Sequence, residues 1–191
     1  MASMRSTDRA SRTVRHSAIT LAIAAAAILL GALYLRGGTS VTPHVVVLHA
    51  SWAQNYNSVH DLATDADAVV IARVTGIATE GPDVSTPSVL ATRFQLAVQR
   101  TVKGVPGTSL VVKQTGGTDA GLTQLMEGDP LLVVGDDYLL YLRQVHDGPY
   151  AGDYFVLGGP AGRFGVAADG GLTSFGQVSL PQNTTLDSLL P

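Results

Sequence analysis

Residues 92–104 read TRFQLAVQRTVKG. In an extended chain Phe94, Leu96 and Val98 fall on one side and Gln95, Gln99 and Thr101 on the other. A period of two with one apolar side describes a strand with a core on one face and solvent on the other. The run stops at Lys103-Gly104, where a turn begins.

Working outward, the neighbouring segments repeat the theme. Upstream, AVVIARVTGI (residues 68–77) is rich in β-branched residues and long enough for a strand. Glu80 to Pro87 is a turn-rich loop. Downstream, Val105-Pro106-Gly107 turns the chain into Leu110 to Gln114, and Thr115 to Gly121 reads as a loop with a short apolar turn, Leu122 to Met126, behind it. Leu131 to Val134 and Tyr138 to Leu142 read as two strands, or as one strand bent by a bulge at Gly135. Tyr154 to Leu157 adds another, and Arg163 to Val166 with Leu172 to Phe175 flank Asp169-Gly170 as a hairpin. Ser58 with Asp61 three residues on resembles a capping box, opening a helix of about two turns with Val59 and Leu62 inward. A final helical turn is expected over residues 185–190. Val45 to Leu48 is either a short strand or linker. With six or seven short strands, no repeats and no strand–helix–strand alternation, the pattern predicts a mainly β fold. The expected architecture is a small barrel or sandwich with one or two short peripheral helices.

ADAVVIARVTG (66–76), FQLAVQRTVKG (94–104), SLVVKQTGG (109–117) and GDDYLLYL (135–142) follow one another in an order that resembles the strand succession of netrin-type modules. That group includes the tissue inhibitors of metalloproteinases. Followed by GGPAGRFGV (158–166), the same order is similar to uncharacterised exported or membrane-anchored proteins of Gram-positive-type bacteria. The resemblance covers residues 57–174 and implies a small OB-like β-barrel. It does not imply metalloproteinase inhibition, which in that family depends on an amino-terminal cysteine, and this chain has no cysteine.

The amino-terminal part has a different character. SAITLAIAAAAILLGALYL, residues 17–35, runs 19 residues without a charge. As a helix it would be about 28 Å long, close to the thickness of a bilayer's hydrocarbon core. Its eight Leu and Ile residues favour insertion by roughly 2–5 kcal/mol in sum. The apolar run is longer than that of a signal peptide, and bulky or charged residues follow it, so an uncleaved anchor is expected. Four arginines precede the run (Arg5, Arg9, Arg12 and Arg15) and Arg36 alone follows it closely. That asymmetry places the amino terminus in the cytoplasm and the remainder outside. The expected organisation is a cytoplasmic basic tail (1–16), a single transmembrane helix (17–35), a linker (36–56) and an extracytoplasmic β-barrel domain (57–191).

From Gly37 onward there are seven Lys and Arg against fourteen Asp and Glu, a net charge of −7. An acidic outer domain repels nucleic acid, and the single Trp, Trp52, lies in the expected linker, so nucleic acid is excluded as a partner. Without cysteine, an external domain must be held by its core alone.

Chemistry-bearing motifs are sparse. Gly158 to Gly165 (GGPAGRFG) is rich in glycine, yet strand-like residues follow it instead of a helix, and there is no Gly-Lys-Ser/Thr. The acidic groups Asp61/Asp65/Asp67, Glu127/Asp129 and Asp136/Asp137 lack the spacing of a calcium loop, and His44 and His49 have no third ligand nearby. His60 and His146 are the histidines of the folded part, with no Gly-x-Ser-x-Gly or His-Glu-x-x-His motif. No catalytic residue, metal or cofactor is therefore assigned. Tyr138, Tyr141, Tyr150, Tyr154 and Phe155 supply aromatic mass around the fourth and fifth strands; most of it is expected in the core, with Tyr150, beside Pro149 and Gly152, exposed at a contact rim. The candidate binding residues are Tyr150 and Tyr154, with Arg163 as an anion contact. The expected function is a membrane-anchored extracytoplasmic interaction module, not an enzyme, whose partner is an envelope protein or glycan. An extracytoplasmic hydrolase and a structural accessory subunit of a membrane complex are the alternatives.

Overall fold

The computed structural model describes residues 44–49, 54–178 and 180. The expected tail, the expected transmembrane run 17–35 and the expected helical turn at 185–190 lie outside these residues. Among the described residues no helix is long and apolar enough to cross a membrane.

The first elements are β1 (His44–Leu48), α1 (Val59–Asp65), β2 (Ala68–Pro82) and β3 (Leu90–Lys103). Then come β4 (Ser109–Thr115), β5 (Gly117–Asp119), β6 (Leu122–Met126) and β7 (Asp137–Gln144). The last are β8 (Tyr154–Val156), a 3-10 turn (Gly159–Gly162), β9 (Arg163–Val166) and β10 (Leu172–Ser174). Five strands close on themselves in the order β2-β3-β4-β8-β7, with β7 pairing back onto β2. All neighbours are antiparallel except β4 and β8. The mainly β expectation and its closed barrel hold.

The opening stretch is β3, and its alternation is that of a barrel wall. Phe94 and Leu96 are buried inside, Val98 packs at the margin of the same core, and Gln95 and Gln99 face away. β2 and β7 read differently in sequence because both of their faces are covered. Ala68, Val70, Ala72, Val74, Tyr138, Leu140 and Leu142 fill the barrel. The intervening Val69, Ile71, Leu139 and Tyr141 enter a second core outside it, against Tyr56, Leu62, Leu157 and Phe164. A strand buried on both faces needs an unbroken apolar run, which is what AVVIA and YLLYL supply. Each fully buried Leu or Phe contributes roughly 1.5–3 kcal/mol.

The outer core is roofed by α1. Ser58 is its N-cap, its hydroxyl accepting from the Asp61 N–H at 3.1 Å and donating to the Asp61 carboxylate at 2.8 Å. Leu62 is buried and Val59 partly so, as the capping box predicts. Along the β2–β3 pair the register shifts at four places, and these irregularities bend two long strands around the barrel. β3 ends at Gly104, whose φ of +81° suits glycine and where an added Cβ would lie 2.3 Å from the Asp67 carbonyl oxygen.

Three local expectations are corrected. Residues 115–126 are not a loop with an apolar turn: β5 and β6 form a hairpin, and β1 joins β6 in parallel to make a second, three-stranded sheet. The open alternative at Val45 to Leu48 thus resolves as a strand. Its partner is remote in sequence, so no local pattern announces the pairing. Leu131 to Val134 is irregular, because Pro130 enters it and Gly135, at φ +98°, turns the chain. Gly135 is not a bulge: its N–H donates to the Val74 carbonyl, and Val74 N–H donates to Asp136, tying this turn to β2. The hairpin at Asp169-Gly170 is present, with Gly170 at φ +80° and Asp169 Oδ1 accepting from the Gly171 N–H at 2.9 Å.

Candidate binding groove

β4 and β8 pair through a single residue pair, Val112 with Tyr154. The closed ring is therefore weakest at this seam, and a groove of about 410 Å³ opens beside it. Its lining includes the polar Lys113, Gln114 and Asp129 and the more apolar Val145, Tyr150 and Phe155. Strand alternation sets the last pair: Tyr154 turns into the barrel at 8% exposure, so Phe155 turns outward at 39%.

The walls are fixed by ion pairs between strands and loops. Arg93 and Lys113 are directly opposite one another on β3 and β4. Arg93 binds Asp153 through two parallel hydrogen bonds of 2.6 and 2.8 Å, a bidentate arrangement that anchors the end of the β7–β8 connection, residues 145–153. Lys113 pairs with Asp83 in the β2–β3 connection, residues 83–89. Asp83 Oδ1 also accepts from the Ser85 N–H at 2.7 Å and the Thr86 N–H at 3.2 Å. Burial raises the Asp83 carboxyl, but Lys113 and these backbone donors outweigh it and hold the group below the ordinary carboxylate range.

Tyr150 joins the two connections. Its hydroxyl accepts from the Val84 N–H at 2.8 Å. Its ring lies 4.1 Å from Lys113 Nζ and 5.9 Å from Arg93 Cζ. A ring face next to two cations gains electrostatic attraction as well as packing. Both loops are thus held to the strands and to each other before any ligand arrives.

Asp129 in the groove lining pairs with the enclosed Arg163. Arg163 Nη2 donates to Asp129 Oδ1 at 3.0 Å, at exposures of 1% and 6% for the two residues. The guanidinium also sits 4.5 Å from the Phe175 ring centre, and its Nε has no hydrogen-bond partner among the described residues. Burial pushes the Asp129 carboxyl up and the Arg163 guanidinium down, in each case against the attraction of the partner. Asp129 thus lines the groove, and Arg163, enclosed next to it, holds its carboxylate in place.

Of the residues proposed from sequence, Tyr150 lines the groove. Tyr154 belongs to the barrel core and Arg163 is enclosed, so neither offers a surface to a ligand; both shape the groove from behind. Lys113, Gln114, Asp129 and Phe155 also line it. Alternation out of phase with Tyr154 could have indicated Phe155, whereas the contributions of Lys113 and Asp129 follow from pairings with residues far away in sequence. His60 and His146 are exposed, and neither pairs with a carboxylate among the described residues. No group of three or more His, Cys, Asp or Glu residues among the described residues is placed to hold a metal ion. No protein-family model matches the chain, and no curated protein matches it.

Proposed function

We propose that this chain is an extracytoplasmic binding module of the bacterial cell envelope, held to the membrane by residues 17–35, and that it takes its ligand in the seam groove. The observation that carries this reading is the pre-formed groove of about 410 Å³, lined by both apolar and hydrogen-bonding side chains. Its loops are already tied down by Tyr150 and two ion pairs. A site ordered in advance spends little of its interaction energy on ordering itself. Its charges are mostly paired internally, which suits a largely neutral, chain-like ligand. A glycan strand or an extended protein segment of the envelope has that character.

The strand order supports the OB-like reading, since β2-β3-β4-β8-β7 with β4 parallel to β8 follows the connectivity of that five-stranded barrel. Barrels of this kind present ligands to their second and third strands and to the loops after the first and fourth. Here those loops are residues 83–89 and 145–153, the two that Tyr150 joins. The acidic outer domain and the asymmetric arginines flanking residues 17–35 support the location.

The test is retention of the full-length chain on immobilised envelope fractions, cell-wall glycan and membrane protein separately. Phe155→Glu, which puts a charge into the groove lining at an exposed position, is the comparison. Retention of the parent chain by one fraction, and its loss in the variant, supports the reading. Equal retention of both chains places binding elsewhere.

A further inference from the structure

Among the described residues the second sheet ends in an uncovered edge. β1 pairs with β6 on one side only, and the order β1-β6-β5 leaves its other side open. The His44 N–H donates to Gly121 and the Leu48 carbonyl accepts from Glu127, so residues 44, 46 and 48 turn their backbone groups toward β6. In a parallel ladder the alternate residues then turn theirs the other way. Val45 and Val47 present one N–H and one C=O each at the free edge, with no partner among the described residues. Their side chains are 56% and 52% exposed, and Leu125 beside Val47 on β6 is also exposed. Natural edges are blunted by charge, proline, bulges or short length. β1 (HVVVL) has no lysine, carboxylate, internal proline or register shift, and it is the longest uncharged edge strand among the described residues. The edge strands β5 and β10 are three residues each, and β5 carries Asp119.

We propose that β1 pairs with β1 of a second copy of this chain, antiparallel and centred on Val46, to form one continuous six-stranded sheet across a two-fold axis. The register follows from the free groups. With Val46 opposite its own copy, Val45 meets the partner's Val47, and each such pair exchanges two hydrogen bonds, so every free group at Val45 and Val47 is satisfied. On the outer face, Leu125 and Val47 of one copy then adjoin the partner's Val45, turning two exposed clusters into one covered stripe. The strand is already fixed for this role: both its ends are bonded to β6, and His49 pairs with Glu127 just beyond it.

The length of chain ahead of β1 points to a second copy as the occupant. Eight residues, 36–43, separate the apolar run from His44 and can span at most roughly 28 Å. The amino ends of the two strands in such a pair are about 17 Å apart, so both copies reach the same bilayer. Confinement to one membrane raises the local concentration of the partner edge. This last argument rests on the anchor reading; the edge geometry does not.

The absence of cysteine makes the test direct. In the full chain in its own membrane, Val46→Cys places two thiols at a non-hydrogen-bonded antiparallel pair with Cα atoms about 4.5 Å apart, inside the range for a disulfide. Val45→Cys places its pair roughly 8 Å apart, outside that range. Mild oxidation should double the mass of Val46→Cys on a non-reducing gel and leave Val45→Cys monomeric. Adding Val47→Pro to Val46→Cys removes a free-edge N–H without touching the β1–β6 ladder, and should abolish the doubled species while the thermal transition of the chain persists. A monomeric Val46→Cys, equal cross-linking by Val45→Cys, or a cross-link to a polypeptide of different mass overturns the proposal. Alkaline carbonate extraction read in parallel separates the two claims: a chain released from membranes that still doubles refutes the anchor and leaves the pairing standing.

Discussion

Replacing Asp129 by Asn and Arg163 by Met, singly and together, separates what the enclosed ion pair costs from what it contributes. At 3.0 Å the two charges attract by about 5–6 kcal/mol with an effective dielectric constant of about 20. Against this stand several kcal/mol of lost hydration for each ion and the Arg163 Nε, which has no partner among the described residues. Both groups are shifted by burial toward their neutral forms, so desolvation dominates at each. The two single changes should not be equivalent. Asp129→Asn strands a guanidinium that cannot release its proton, and should cost about 3–5 kcal/mol. Arg163→Met strands a carboxyl that can take one up, so it should cost less at mildly acidic pH and more as pH rises. Because the folded Asp129 pKa lies above its unfolded value, the native state of Arg163→Met binds the extra proton. Stability is therefore gained as pH falls through the raised folded value toward the ordinary carboxylate pKa of about 4. The slope approaches 1.4 kcal/mol per pH unit, on the order of one proton's worth. The double change removes both ions and should lie within about 2 kcal/mol of the parent, on either side. Urea unfolding of the full chain, followed by near-ultraviolet circular dichroism at several pH values, measures all four states. Equal losses for the two single changes, a pH-independent Arg163→Met, or a double change as damaging as the sum of the singles would refute the reasoning.

Three further outcomes follow from the groove and the turns. Tyr150→Phe keeps the ring beside Lys113 but loses the bond to Val84, so it should cost about 1 kcal/mol and speed hydrogen exchange at the Val84 amide while barrel amides stay protected. Asp83→Asn removes a carboxylate whose folded pKa is depressed. The parent's advantage over this variant should be full above the ordinary carboxylate pKa, shrink as pH falls through the lower folded value, and be read as converging urea midpoints. Gly104 and Gly107 both need a left-handed backbone, but only Gly104→Ala also meets the Asp67 carbonyl at 2.3 Å, so it should lower the unfolding temperature more than Gly107→Ala, where the nearest atom is 3.8 Å away.

Much of the fold was legible because its strands obey simple periods. β3 alternates since one of its faces is solvated, and the unbroken runs of β2 and β7 are apolar since α1 and the 3-10 turn cover their second faces. The capping box at Ser58 and the hairpin at Asp169-Gly170 are local signals, and both were readable as such. What escaped depends on remote partners. β6 carries a weak pattern of its own and is held as a strand between β5 and β1, the latter more than seventy residues earlier in the chain. The groove depends on Arg93 meeting Asp153 and Lys113 meeting Asp83 across a closed barrel, and no spacing announces those pairs. Arg163 looked like an available cation because nothing nearby in sequence neutralises it; Asp129 does so from another loop.

The most direct measurement of the central claim is a map of backbone amide shifts in the isotopically labelled full chain as solubilised envelope material is added. Ligand in the seam groove should perturb Lys113 to Thr115, residues 83–89 and residues 145–156, with β9 and β10 unmoved. Shifts gathered on β9 and β10 or on the surface of α1, with the seam silent at saturation, would contradict it.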